Sequence, residues 1–347
     1  MNHSLHRFIA PAWLASLTLV VAPLAQADPG AGLGLAAGLN LLSFGNFVVP
    51  SSDVQGRVAV AGNASISSYS INTTNGSQAS YGGSGLTVGG NLDFAGGTIW
   101  GNTVVGGNFS AGQGTSFVGN LEVGGNLNAN NNWLSATSIS YGGSVSGLNP
   151  WQSPSPVQAS SGSIQLGIDF AAEKQRLSGL SQSFDTLANT GSAAMGSGTL
   201  ALDAHGANLA VFDLSSSDVA NNLRLDNLAA NTTVILNVHG QTVDFGQHGY
   251  QNFTLGNVLF NLPEATQITF ASGVNASFLA PLANFSSSGG LINGQVVVGN
   301  WSGSTQLNDA AFTGNVTPVP EPQTYALMLA GLAAVATITR RRRTIAA

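Results

Sequence analysis

Between residues 58 and 146 apolar side chains fall on alternate positions, and one short phrase recurs. It reads Val58-Ala59-Val60-Ala61-Gly62-Asn63, then Leu86-Thr87-Val88-Gly89-Gly90-Asn91, Thr103-Val104-Val105-Gly106-Gly107-Asn108 and Leu121-Glu122-Val123-Gly124-Gly125-Asn126. A looser copy ends Tyr141-Gly142-Gly143-Ser144, and the anchors Asn63, Asn91, Asn108, Asn126 and Ser144 are 28, 17, 18 and 18 residues apart. Val60, Val88, Val105 and Val123 precede the anchor by three positions, while Ala64, Leu92, Phe109, Leu127 and Val145 follow it directly. These positions share one parity, so in a strand they point to one face. A short coil that cannot bury its apolar face alone, repeated at a near-constant period, predicts a β-solenoid. Stacking would pile Val60, Val88, Val105, Val123, Leu92, Phe109 and Leu127 into a common core. Asn63, Asn91, Asn108 and Asn126 would then form a hydrogen-bonded ladder at one corner, where a Gly-Asn pair tolerates positive φ. A sandwich of hairpins accounts for the turns but not for the period.

Past Gly147 the pattern changes. Pro150, Pro154 and Pro156 among many serines read as a surface connection. From about Asp169 to Ala188 the apolar residues Phe170, Leu177, Leu180, Phe184 and Leu187 follow helical spacing, with Asp169 as N-cap. This one long helix is expected to lie alongside the β body. Strand patterns resume at 208–214, 233–238, 253–262, 268–271, 277–282 and 294–298. The phrase Val297-Val298-Gly299-Asn300-Trp301 repeats the anchor, which returns the chain to the same sheet system. The expected fold is therefore all-β with one long helix, a single body rather than two domains.

Composition narrows the chemistry. Charged residues are 7% of the 347 and Gly supplies 45 of them, a profile of short strands and turns rather than of a helical bundle. Between Asp28 and Val319 only Arg57, Lys174, Arg176 and Arg224 oppose 14 acidic residues, which argues against a nucleic-acid partner. The chain has no cysteine. In the repeat region the only acidic residues, Asp93 and Glu122, have solvent-facing parity, so no close carboxylate pair of the kind a glycosidase needs is formed there. His239 and His248 flank Asp244 but match no zinc spacing. Neither a calcium loop nor an RTX nonapeptide is present. No catalytic residue, metal or cofactor is expected. Rows of amides and hydroxyls, with Tyr69, Tyr81, Trp100, Trp133 or Trp151 as stacking platforms, suit neutral sugars instead. An ice-binding face would need threonines in one register, and Thr87, Thr98, Thr103 and Thr115 do not share an anchor offset.

Both ends read as addresses. A weakly basic start, an apolar run from Phe8 to Val21 and Ala25-Gln26-Ala27 form the pattern of a signal peptide over residues 1–27, with cleavage after Ala27 and Ala25 at the other small position. At the other end Pro320-Glu321-Pro322 precedes an apolar segment, 325–339, and the run Arg340, Arg341, Arg342, Arg343. Fifteen helical residues span about 22 Å, short of a full hydrocarbon core, and the arginines would stop the segment on the cytoplasmic side. Residues 317–347 thus resemble the PEP-CTERM sorting signal. That resemblance implies processing by signal peptidase and an exosortase, transient insertion in the inner membrane of a Gram-negative bacterium, and delivery to the cell surface or extracellular matrix.

The body, 28–316, resembles the choice-of-anchor A family. The matching residues are Phe44-Gly45-Asn46-Phe47, Asp53 to Val60, the Gly-Gly-Asn copies, Asp169-Phe170-Ala171-Ala172, Val234 to Gly240, Phe278 to Ala283, Ile292 to Val297 and Phe312-Thr313-Gly314. The resemblance implies a non-enzymatic surface adhesin associated with exopolysaccharide. A surface-layer or matrix scaffold without a ligand is the competing reading, followed by an ice-binding or polysaccharide-degrading β-helix.

Overall fold

The structure is a computed structural model describing residues 33–35, 39–74, 84–160 and 162–316. The signal peptide with Ala25 and Ala27, the motif Pro320-Glu321-Pro322, the apolar segment 325–339 and Arg340 to Arg343 lie outside the described residues, as does Tyr81. Among those described, no helix is long and apolar enough to cross a membrane.

The strands are short and stack in parallel, coil over coil. One inner column runs unbroken through Phe212, Leu236, Phe260, Phe278, Val296, Leu41, Val58, Leu86, Thr103, Leu121 and Ile139, each in register with the next. Every member is buried. A parallel column holds Ala280, Val298, Ser43, Val60, Val88, Val105, Val123 and Tyr141. Its five valines are fully buried, and burying one such side chain is worth about 1.5–3 kcal/mol. Repetition, not any single contact, builds the core.

The order of coils is not the order of the chain. Strand Leu39–Ser43 sits in the middle of the stack, between Arg57–Val60 and Val296–Gly303. From there the chain winds outward to Val157–Gln158 at one tip. The helix carries it back, and it restarts at the other tip with Leu209–Ser215 and winds inward to Val296–Gly303. Two half-solenoids thus meet at a seam made by the first and last strands of this face.

The long helix spans Phe170–Asp185 and is capped as its sequence predicts, with Asp169 Oδ1 accepting from the N–H groups of Ala171 and Ala172. Its last residue, Asp185, falls three short of the expected Ala188, with Thr186 as the C-cap, although Leu187 still packs on the body. Leu177 and Phe184 lie against the outward side chains Leu42, Ala59, Ile235, Leu279 and Val297. Those strands are apolar on both sides because one side faces the interior and the other the helix. Beneath it, Asn261 and Asn237 occupy the same outward column; Asn261 Nδ2 donates to Ser181 O and Asn237 Oδ1, Asn237 Nδ2 donates to Phe184 O, and the Ser181 hydroxyl donates to Asn261 Oδ1. A second, one-turn helix, Ser216–Val219, is set by a capping box between Ser215 and Asp218. The pattern read as strand over 253–262 is shorter, Val258–Asn261, because a turn precedes it in which Phe253 is buried without joining the sheet.

The repeated glycines follow a different rule from the one their sequence context indicates. Their backbones lie outside the positive-φ region. A Cβ on Gly107 would stand 2.6 Å from Asn91 Oδ1 and 2.7 Å from the Gly90 carbonyl oxygen. It is close approach to the coil below, rather than left-handed geometry, that requires glycine there.

Candidate binding surface

The three sides of the solenoid differ in what covers them. Helix Phe170–Asp185 occupies the first. The second is uncovered among the described residues and is built from the strands that follow each Gly-Asn corner. Here the inner column Val243, Ile268, Phe285, Trp301, Phe47, Ala64, Leu92, Phe109, Leu127 and Val145 anchors the sheet. Phe285 and Trp301 stack at 4.6 Å between ring centroids, 9° from parallel. One position further on, alternation turns every side chain outward. The resulting column is Asp244, Thr269, Ser286, Ser302, Val48, Ser65, Asp93, Ser110, Asn128 and Ser146. Successive members are one strand spacing apart, about 4.8 Å.

Beside this column runs the asparagine row. Asn63, Asn91, Asn108 and Asn126 occupy one corner, and each side-chain Oδ1 accepts the backbone N–H of the anchor in the next coil, at 2.8 Å to Asn91, Asn108 and Asn126 and 2.9 Å to Ser144. The row crosses the seam: Asn46 Oδ1 accepts from Asn63 N–H, Asn300 Oδ1 from Asn46 N–H, and Asn300 Nδ2 donates to Asn284 Oδ1. Because the oxygens are used along the row, the amide NH2 groups of the exposed Asn46, Asn63, Asn91, Asn108 and Asn126 line up as donors beside the outward column, while that of Asn300 is taken up by Asn284. A shallow cleft of about 360 Å³ lies between the two rows, lined by Asn91, Asp93, Asn108, Ser110, Asn126 and Asn128 over Phe109. A similar one of about 320 Å³ is lined by Asp244, Thr269 and Ser286 to Ser288 over Phe270.

Sequence reasoning missed a second amide row. On the third side Asn308 Nδ2 donates to Asn293 Oδ1, and Asn293 Nδ2 to Asn275 Oδ1. These asparagines carry no common phrase, and only the register of the coils aligns them.

The aromatic residues separate. Tyr69 is core, fully buried, with its hydroxyl donating to Thr305 O; burial and the nearby Asp53 push its pKa far up. It cannot serve as a sugar platform because its ring fills the solenoid interior. Trp100 is half-buried. Trp133 and Trp151 are exposed, at 44% and 81%, and their neighbours are tied together: the Gln152 side-chain amide accepts from the Leu134 N–H and donates to the Leu134 carbonyl. Trp133 follows Asn130 to Asn132, a few residues past Asn128, and Trp151 follows Asn149 and Pro150.

Titratable groups are scattered. His205 lies by Asp203 at 3.3 Å, His239 by Asp185 at 3.8 Å, and His248 sits on the turn after Asp244. Among the described residues no three His, Asp or Glu side chains converge as a metal site would need. Asp244 is held below the usual carboxylate range by hydrogen bonds from the Thr269 hydroxyl and Gly246 N–H, with His248 adding to the effect. Asp53 shifts the other way, up, because of burial. Asp93 is exposed and Glu122 half-exposed.

A stack of short parallel strands with a helix along one side defines the class: a β-solenoid protein. The chain matches the profile of the family described as "Putative Ice-binding-like adhesive domain" over residues 32–120 and 93–309. It belongs to that family. Residues 318–343 match the PEP-CTERM protein-sorting motif, which marks the chain for export and membrane-associated sorting and implies processing by an exosortase. No curated protein matches. Among solved structures it is similar to the crystal structure of an ice binding protein from an Antarctic bacterium, Flavobacteriaceae, with 13% identity over 83% of this chain and 100% of that one, at a TM-score of 0.25.

Proposed function

We propose that this is a non-enzymatic surface adhesin that contacts exopolysaccharide through the uncovered second side of the solenoid. In this reading residues 1–27 are a signal peptide removed on export, 28–316 form the adhesive body, and 317–347 are a transient inner-membrane tether. The tail is released near Pro320-Glu321-Pro322 after Arg340 to Arg343 have halted it, which leaves the body at the cell surface or in the extracellular matrix of a Gram-negative bacterium. One observation carries the reading: a row of amide donors and an adjacent column of mostly hydroxyl and amide side chains, Ser65, Ser110, Asn128 and Ser146 around the single charge of Asp93, line the side of the solenoid that also exposes Trp133 and Trp151. Neutral sugars present hydroxyls that both donate and accept, and apolar pyranose faces that stack on indole. With only Asp93 and Asp244 as charges in the outward column, the surface neither repels neutral glycan nor attracts polyanions.

The test is retention of the purified chain on the producer's own polysaccharide. The W133A/W151A variant is expected to lose most retention while its circular dichroism stays unchanged. Equal retention of the two proteins would reject the glycan reading and favour the scaffold. Thermal hysteresis of the same preparation checks the ice-binding alternative that the family description raises.

A further inference from the structure

The tip at which the second half-solenoid begins has three strand edges, and two are closed. The edge of Leu209–Ser215 is covered by Thr190 and Gly191, whose N–H groups both donate to Val211 O. Beside Thr242–Asp244 lies the one-turn helix Ser216–Val219. The third edge is a hairpin. Ser192–Gly196 pairs antiparallel with Thr199–Asp203 through a two-residue turn, Ser197-Gly198, in which both residues have positive φ.

Such a turn makes Gly196 and Thr199 a hydrogen-bonded pair, so Ala194 and Ser192 also point their backbone groups inward, toward Ala201 and Asp203. Alternation leaves the N–H and C=O of Ala193 and Met195 directed away from the sheet. No partner for them is found among the described residues. All five residues of this strand are exposed and none is charged, with Met195 at 54%. The opposite tip is blunted instead, ending in the two-residue strand Val157–Gln158 beside Pro154 and Pro156. Proline and very short strands are devices that stop edge pairing, and Ser192–Gly196 has neither.

We propose that a second copy of this chain pairs with this edge, strand Ser192–Gly196 against itself, across a two-fold axis at Ala194. The parity is self-complementary. With the axis at Ala194, Ala193 faces the partner's Met195 and Met195 faces the partner's Ala193, so the groups pointing outward on each copy meet the outward groups of the other. Four backbone hydrogen bonds form. The two Ala194 residues become a non-hydrogen-bonded pair with Cα atoms about 4.5 Å apart, close enough only for small side chains. Met195 and Ala193 lie on the same side of the hairpin as core-facing Leu200 and Leu202, so the pairing also covers the apolar surface left at the end of the core. A five-residue contact buries little area, so the dimer is a weak one.

The chain has no cysteine, which gives a direct test on the full-length protein. A non-hydrogen-bonded pair has the Cα separation of a disulfide, so A194C is expected to cross-link under mild oxidation while L255C, at a comparably exposed turn, does not. Sedimentation of the wild type should show a concentration-dependent dimer, and M195K and M195P should raise its dissociation constant by about tenfold or more. Circular dichroism establishes that the variants are folded, and M195K leaves every backbone group in place should proline disturb the hairpin. A wild type that is monomeric at every concentration, equal cross-linking of A194C and L255C, or dimerisation of folded M195K at wild-type strength would overturn the proposal.

Discussion

Leu41 and Val296 are register partners in adjacent parallel strands although they belong to the two ends of the folded body. On its other side Leu41 pairs with Val58. The first coil therefore joins the two half-solenoids, with Phe47 between Trp301 and Ala64 and Val54 between Leu307 and Ile71 on its other two sides, and Leu41 lies in the column that both halves share.

Replacing that side chain tests the coupling. Leu41→Ala is expected to cost about 2–5 kcal/mol and to lower the denaturation midpoint of both halves together, read from the fluorescence of Trp301 on one side of the seam and Trp100 on the other. Loss of one signal well before the other would show that the halves fold independently.

At the corner row, Gly107→Ala should destabilise more than Asn108→Ala. The first forces a Cβ against Asn91 and the Gly90 carbonyl; the second removes one acceptor from Asn126 N–H, worth about 0.5–1.5 kcal/mol where water can replace it. Chemical denaturation of the two variants ranks them.

Trp301 is buried, stacked on Phe285, and its Nε1 has no hydrogen-bond partner among the described residues. Trp301→Phe keeps a ring in the stack and removes the unpaired donor, so it should leave stability within about 1 kcal/mol of wild type. Trp301→Ala should cost about 3–5 kcal/mol. Thermal melts of both variants separate packing from polarity.

Asp244 predicts a pH dependence. Its folded pKa is depressed by Thr269 and Gly246, so its contribution is present above the ordinary carboxylate range and is lost as pH falls through the folded value. Stability should drop on acidification, and Asp244→Asn should flatten part of that drop. Asp53, raised by burial, acts in the opposite sense, and Asp53→Asn should steepen it. Denaturation midpoints measured across the acid range distinguish the two.

How much of this was legible in the sequence follows from what repeats. The Val60, Val88, Val105 and Val123 column and the Asn63 to Asn126 row share a phrase, and a phrase fixes register. Asp169 and the Leu177 to Phe184 spacing mark the helix by purely local chemistry. The seam does not show in the sequence, because nothing near Leu41 or Val296 states which distant strand it will meet. The second amide row of Asn275, Asn293 and Asn308 is hidden for the same reason. Tyr69 looks like a surface aromatic among serines until the turn at Ser68, with φ of 50°, rotates it into the core. Glycine spacing was readable, but its cause was not, since contact with the neighbouring coil exists only after stacking.

The seam also sets a timetable. A chain emerging from its N-terminus delivers Leu39–Ser43 first among the strands, yet one edge of that strand stays bare until Val296–Gly303 arrives, nearly last. Contacts so far apart along a polypeptide are slow to form. Closure of the rod thus waits on the segment directly ahead of the sorting tail, and completion of the body and arrival of its address become nearly simultaneous events.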